Sequence, residues 1–595
     1  MGKDICIIGA GASGLTTIKQ LLDEGHNPIC FDKAADLGGL FNSKEAFDGK
    51  RGSVYKNTVL TISNYQMAFS DFSPKEHRRV HWHHYQYLQY LRDYALEYSL
   101  DRFIKFSTQV LSVAEKGDRW VVTVKCNNSG DVLDYECDGV AICTGTHQVP
   151  SIPQFEKSDE FKGEIVHSSQ YMEGDAFRDK KVVVIGIGES SADIVREISD
   201  VSKECHLLIR NYPVLVPRNQ QHEAADANTS RALSSFSYPS STLLKVYLFA
   251  CATVAKVTNS VLKLLGLNKK PALDSFNQST DMSFLDHSVP HEVEAVKLIK
   301  SWSILGGATP ERKFATKNVT FVKNIVSGKI DVHKDEIAEF YDHGIITKSG
   351  QKIPCDTVML CTGYKESFGF LKDHQVEDNN VRNLYLNAFH PKMKNVAFIG
   401  WNRPSLGAIP ACSEMIARYY ALILSGKRQL PHNIELLIKQ HKKEKDERFK
   451  FSPNILTVVD YHEFMTTLSK LIGCQIEWSR YVLRPAMLYK LVFGGHMSAQ
   501  YRITGPHAMT EQSEKVISRL PVSPVIQNLS MKLALGQLIG ARVQNNVSHK
   551  QLINKLFLPG IEVSDDDIER YAFKPNANDD VNTATSEIEE EKLAV

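Results

Sequence analysis

The sequence predicts an α/β fold of two Rossmann-like units, the second inserted in the first, followed by a helical C-terminal region. Three observations predict it. An apolar run leads into a Gly-x-Gly-x-x-Gly turn and a helical pattern at 4–22, and the same order recurs at 181–195. Two other apolar runs end alike, in Cys143-Thr144-Gly145 and in Cys361-Thr362-Gly363. At 595 residues the chain exceeds what one hydrophobic core organises. These signals place the first unit at 1–165 and 326–435 and the second at 166–325. A mainly helical region follows at 436–560, then an acidic, proline-broken tail at 561–595 that is expected to be disordered.

In the first turn Gly9 makes the bend, Gly11 lets backbone approach phosphates, and Gly14 lets the helix pack on the strand, with Ser13 between them. The unpaired N–H groups at the helix start, with the positive end of its dipole, suit a pyrophosphate. A second apolar run closes on Asp32, where a carboxylate meets a ribose hydroxyl. A bound dinucleotide is therefore expected. Behind Asp32, Gly39, Leu40 and Phe41 read either as a surface loop or as backbone lying against a flat ring. Residues 54–72 mix apolar bulk with Thr61, Ser63 and Asn64. Uncharged hydrogen-bonding groups in apolar surroundings suit a site that orients reagents while excluding water, and equally suit a buried turn. His81, His83 and His84 lead into a helical pattern and read as its polar start rather than as a metal cluster. Alternating stretches at 106–126 and 132–143 read as strands that end at Thr144 and Gly145.

The second turn holds Gly186, Gly188 and Ser190, with Ser191 in the third glycine position. Two such folds in one chain point to electron transfer between two cofactors. Arg210 stands where the first unit has Asp32, and a cation there suits a 2′-phosphate, so NADPH is expected on this unit. Residues 242–268 place Lys245, Lys256, Lys263 and Asn259 on one side of a helix whose remaining surface is apolar. Such a helix either lies in a membrane interface or packs on its own protein. Thr362 and Gly363 suggest the chain returning to the first unit at strand ends that face a cofactor. A later strand ends at Gly400, and a helix is expected from Ser413.

Composition narrows the class. Hydrophobic content of 43%, charged content of 23% and a net charge of +1 are those of an ordinary globular chain, and nothing argues for a nucleic-acid partner. The 11 cysteines are scattered without Cys-x-x-Cys or paired Cys/His spacing. No metal site or disulfide framework is expected, and a reducing compartment follows. A signal peptide is not expected, because the first strand begins at Asp4. The sequence leaves the oligomeric state open, a homodimer included.

Together these residues resemble the flavin-containing monooxygenases. Phe161-x-Gly163-x-x-x-His167-x-x-x-Tyr171 matches that family's identifying sequence and lies just before the second glycine turn. Tyr171 fits the N- and S-oxygenating branch. Thr362-Gly363-Tyr364 is similar to the family's late Ala-Thr-Gly-Tyr, and 493–506 to the C-terminal region of the animal enzymes. The resemblance implies FAD on the first unit, NADPH on the second, a C4a-hydroperoxyflavin formed with O₂, and a small substrate with a nucleophilic amine nitrogen or sulfide sulfur. It also implies a place in the cytoplasm or on the cytosolic face of the endoplasmic reticulum. The animal enzymes carry a catalytic Asn where this chain has Thr61, with Asn64 three residues on, so either side chain is a candidate to face the flavin. Glu189 replaces an Asn usual in the second turn. Those enzymes end in a membrane helix where this sequence runs into an acidic stretch, so any membrane attachment is expected of 242–268. The alternatives are a Baeyer–Villiger ketone oxygenase and a flavoprotein that serves as a membrane-associated redox interaction module.

Overall fold

The computed structural model describes residues 2–42, 54–220, 223–234, 239–265, 290–307, 312–373, 375–540, 550, 554 and 561–573. The first unit opens with β1 (Asp4–Ile8), α1 (Ala12–Asp23), β2 (Asn27–Phe31), β3 (Ile104–Lys105) and β4 (Gly139–Ile142). The strands are parallel, with β1 between β2 and β4. Alternation along β1 explains the layers: Ile5 and Ile7 pack toward helices, whereas Cys6 and Ile8 pack toward Val113, Trp120 and Val122 of an antiparallel three-stranded sheet.

The second unit repeats this plan. It contains β5 (Glu164–His167), β6 (Lys181–Ile185), α2 (Glu189–Val201), β7 (Glu204–Leu208), β8 (Asp331–His333) and β9 (Thr357–Leu360). Its sheet runs β8-β7-β6-β9-β5, all parallel. Val182 and Val184 pack toward helices, and Val183 toward Phe340, Ile345 and Ile353 of a second antiparallel sheet. The chain then returns, and β10 (Val396–Phe398) joins the first sheet beside β4. Next comes α3 (Ile409–Leu424), which starts at Ile409, earlier than the helix expected from Ser413.

One boundary differs from the expectation. The stretch from 326 to β9 pairs with and packs on the second unit, so the return falls at β10. The repeated Cys-Thr-Gly reflects one plan used twice: β4 lies beside β1 as β9 lies beside β6, and each carries the triplet at its end.

The C-terminal region is helical, with Ile434–Arg448, Tyr461–Ile472, Pro485–Phe493, Thr510–Arg519 and Pro524–Leu538. A fully buried ion cluster fastens it to the first unit. Arg502 Nη2 lies 3.0 Å from Asp71 Oδ2 and 3.1 Å from Glu414 Oε1, and Lys19 Nζ lies 2.8 Å from Asp71 Oδ2. Arg502 Nε donates to Ser70 Oγ at 2.8 Å and Nη2 to Gln20 Oε1 at 2.8 Å. Burial alone would push the Asp71 carboxyl up, but the cations of Arg502 and Lys19 outweigh it and hold the group below its ordinary value.

The Thr242–Leu264 helix packs on Pro524–Leu538 through Leu244, Leu248 and Ala252. Asn259 Nδ2 donates to Gln527 Oε1 at 2.5 Å, so Asn259 faces protein rather than solvent. The helix leaves a second apolar stripe uncovered: Leu243, Val246, Val254, Val257, Val261 and Leu264, the last 88% exposed. Among the described residues no helix is long and apolar enough to cross a membrane. The expected tail does not begin at 561. Ser564 caps a helix at Asp565–Arg570, and Lys297 Nζ reaches Asp567 Oδ1 at 2.9 Å. Residues 574–595 lie outside those described.

Removing the Arg502 guanidinium leaves buried Glu414 without its cation and Asp71 with Lys19 alone, a change that costs about 3–5 kcal/mol. Arg502→Leu is expected to lower the denaturant midpoint by that equivalent, measured by chemical unfolding. Asp565→Ala, at the exposed first turn of its helix, is expected to change it little.

Candidate functional site

Both glycine turns need a residue without a side chain, for the same reason. Gly9 has φ +104°, and a Cβ there would sit 2.7 Å from the Cys143 carbonyl oxygen; Gly186 has φ +96° and the same conflict at 2.9 Å with Cys361. A Cβ at Gly14 would lie 1.9 Å from the Gly9 carbonyl oxygen. In the second unit the helix stands further off, and Ser191 Oγ donates to the Gly186 carbonyl at 2.6 Å. Neither α1 nor α2 has a side-chain cap: Gly11 and Gly188 are the N-cap residues. Their first-turn N–H groups are the donors that a phosphate takes up.

The turns border one cavity of ≈ 910 Å³. Gly9, Gly11, Ser13, Asp32, Gly39, Leu40, Phe41, Thr61, Thr144 and Gly145 line it from the first unit, and Gly188, Ser190, Ser191, Thr362 and Gly363 from the second. Asp32 is fixed beside the first turn: its Oδ2 accepts from Ala10 N at 2.6 Å and its Oδ1 from Ala34 N at 2.8 Å. Gly39 comes close to Gly11, since a Cβ on Gly39 would lie 3.1 Å from the Gly11 Cα, so that loop is part of the cavity wall. Thr144 Oγ1 is buried at this wall with no hydrogen-bond partner. Open helix ends, bare backbone and an unpaired hydroxyl together fit a long polar ligand with phosphates.

Four expected residues stand elsewhere. Gly14 and Gly186 lie behind the lining, where they shape the turns. Arg210 is exposed just beyond the end of β7 and is not part of the cavity wall. Asn64 is also off the wall. Its Oδ1 accepts from Tyr65 N at 2.9 Å and Val80 N at 3.1 Å, and its Nδ2 donates to Arg78 O at 3.3 Å. Asn64 therefore holds a turn, and of the two candidates only Thr61 meets the cavity.

The 54–64 segment bridges the units. Tyr55 OH donates to Asp193 Oδ2 at 2.5 Å, Thr61 Oγ1 donates to Glu189 Oε1 at 3.1 Å, and Ser63 N donates to Asp226 Oδ2 at 2.7 Å. Asp193 is in turn held by Arg218 Nη2 at 3.0 Å. Glu189, the first residue of α2, also meets Lys317 Nζ at 2.9 Å and Arg403 Nη2 at 2.9 Å. Burial opposes ionisation of Glu189, but Lys317 and then Arg403 outweigh it and bring its carboxyl down to about 2. Burial, then the Arg403 charge, lowers His147 on the same wall to about 4, so its imidazole is neutral at neutral pH. Lys317, Arg403 and His147 had no signal in the sequence: Lys317 and His147 lie in loops and Arg403 in a two-residue strand, Arg403–Pro404, each remote in the chain from Glu189.

A carboxyl at about 2 when folded, against an ordinary 4.5, contributes stability that is complete above pH 4.5 and is lost as pH falls toward 2. Thermal melts of the native chain and of Glu189→Gln are expected to differ at pH 7 and to converge between pH 4.5 and 2.

Comparison with known proteins agrees with this geometry. Residues 2–225 and 300–520 match the family described as FMO-like, flavin-binding monooxygenase-like. The chain is 32% identical over 553 residues to a 4-hydroxybenzoate brominase (decarboxylating) of Marinomonas mediterranea, covering 92% of this chain and 99% of that one. It is 30% identical to flavin-containing monooxygenase 5 of Oryctolagus cuniculus, over 85% of this chain and 89% of that one. The structure of a cyclohexanone monooxygenase from Rhodococcus sp. Phi1 bound to NADP⁺ shares the fold, with a TM-score of 0.53 at 14% identity over 80% of this chain and 98% of that one. With two glycine turns opening on one cavity and a family match across most of its length, the chain belongs to the flavin-binding monooxygenase-like family.

Proposed function

We propose that this protein is an NADPH-dependent monooxygenase that passes one atom of O₂ to a soft nucleophile, an amine nitrogen or a sulfide sulfur, on a small molecule. The observation that carries the proposal is the single cavity walled by both glycine turns, which brings two dinucleotide sites face to face. The first turn, with Asp32 and Gly39–Phe41, fits FAD; the second turn, with Arg210 beyond it, fits NADPH. When bound, the flavin accepts hydride from NADPH and activates O₂, the chemistry that the chain itself lacks. The residues supply position and dryness. Thr61 is oriented by Glu189, and Leu60, Ile62 and Met67 make the adjoining wall apolar.

A second reading takes bromide as the soft nucleophile and a phenolic acid as its acceptor. The brominase of Marinomonas mediterranea, similar along 92% of this chain, supports it. So do Lys317 and Arg403, two cations that meet at Glu189 on one part of the wall. The test supplies NADPH and O₂ with a sulfide, a tertiary amine, a cyclic ketone, or bromide plus 4-hydroxybenzoate, and identifies products by mass spectrometry. A sulfoxide or N-oxide supports the first reading and a brominated phenol the second. A lactone would reassign the chain to Baeyer–Villiger chemistry, and NADPH oxidation that yields only H₂O₂ in every arm would refute oxygenation.

Thr61→Ala is expected to raise the H₂O₂ share of NADPH oxidation several-fold, whereas Thr61→Ser stays coupled. Asn64→Ala is expected to lose stability yet keep its coupling, because Asn64 does not meet the cavity. We also propose that the apolar stripe of Thr242–Leu264 rests on the cytosolic face of an internal membrane. Flotation with anionic vesicles is expected to carry the native chain and to leave Val254→Glu/Val257→Glu at the bottom of the gradient.

A further inference from the structure

We propose that His206, Asp331 and His333 form a binding site for one divalent transition-metal ion of the zinc class at the edge of the second sheet. His206 on β7 pairs in register with Asp331 on β8, and His333 lies two residues further along β8. Side chains at i and i+2 share a strand face, so register alone gathers the three donors on one face of two neighbouring strands. His206 Nδ1 lies 3.1 Å from His333 Nε2 and 3.5 Å from Asp331 Oδ2, and His333 Nε2 lies 3.2 Å from Asp331 Oδ2. Bonds of about 2.0–2.1 Å at tetrahedral angles set neighbouring donor atoms about 3.3 Å apart. The three separations straddle that value.

One tautomer of His333 leaves the centre of the three donors open to a cation. His333 Nδ1 faces Gln351 Oε1 at 3.1 Å. With the ring proton on Nδ1, facing that oxygen, Nε2 presents a lone pair. The Nε2 lone pair then faces both a carboxylate oxygen and the His206 ring nitrogen. In that tautomer one proton on His206 satisfies a single contact, whereas an ion at the centre satisfies all three. Gln351 plays the part of the outer partner that fixes a metal-bound imidazole. Two imidazoles and a carboxylate are a donor set that zinc accepts, with water completing the shell. The Asp331 side chain is 66% exposed, which gives an ion a way in.

None of the three residues lines the cavity between the glycine turns, so this site is separate from the one described above. Its effect is on the frame. The His333 carbonyl accepts from Ile209 N at 2.9 Å, one residue before Arg210. An ion that staples β8 to β7 therefore stiffens the edge that presents Arg210.

The test uses the FAD-loaded full chain after chelation, titrated with Zn²⁺ by calorimetry and followed by thermal melting. One equivalent is expected to bind in the micromolar range and to raise the melting temperature. The double variant His206→Ala/His333→Ala is expected to keep its flavin absorbance and to lose both effects. Gln351→Ala is expected to weaken binding about tenfold. Absence of saturable binding up to about 100 μM Zn²⁺ overturns the proposal. Equal binding by the double variant also overturns it, because the ion then sits on other donors, such as the cysteine thiols.

Discussion

The fold depends on a close approach of backbone to backbone. At Gly9 and Gly186 the chain turns with positive φ beneath a carbonyl of the neighbouring strand, and at Gly14 the first helix touches the Gly9 oxygen. No side chain fits at these points. The contact aims each helix start at the same cavity and leaves its first N–H groups unpaired, so one steric constraint sets both the architecture and the affinity for phosphate. The second unit relaxes the constraint by one residue, and the Ser191 hydroxyl replaces direct helix-to-strand contact with a hydrogen bond.

Two units that each bind half of a reaction need a fixed separation. Here charge and hydrogen bonding help to set it. Tyr55 on Asp193, Thr61 on Glu189 and Ser63 on Asp226 pin one segment of the first unit to the second. Lys317 and Arg403 complete the Glu189 cluster from two further segments. Buried ion clusters of this kind add little net stability over apolar packing, but they tolerate few alternative arrangements. That property suits a cavity in which reagents must meet at a set distance. The Arg502 cluster plays the corresponding part between the C-terminal helices and the first unit.

Much of the fold was legible because its signals are local. The glycine spacing, the β-branched runs and the acid at the end of β2 each constrain a stretch of backbone shorter than one strand-turn-helix unit, and the structure forms these elements where they were expected. The legible part ended where identical local patterns serve different places. Cys361-Thr362-Gly363 copies Cys143-Thr144-Gly145, and the copy suggested a return to the first sheet. Register instead pairs Thr357–Leu360 with the second sheet. In the Thr242–Leu264 helix, periodicity showed that one face is polar. It did not show that two apolar faces exist, one packed and one open, because packing depends on a partner helix about 280 residues away.

From its residues alone, the chain determined two nucleotide-binding turns, their order and the chemistry expected of them, since backbone sterics act over a few neighbouring positions. Tertiary structure alone decided that Thr61 rather than Asn64 reaches the cavity, that Glu189 is ionised between Lys317 and Arg403, and that His206 meets Asp331 and His333. Each of these outcomes joins side chains from distant segments. Their meeting is set by strand register and domain closure, which no pattern within a single segment records.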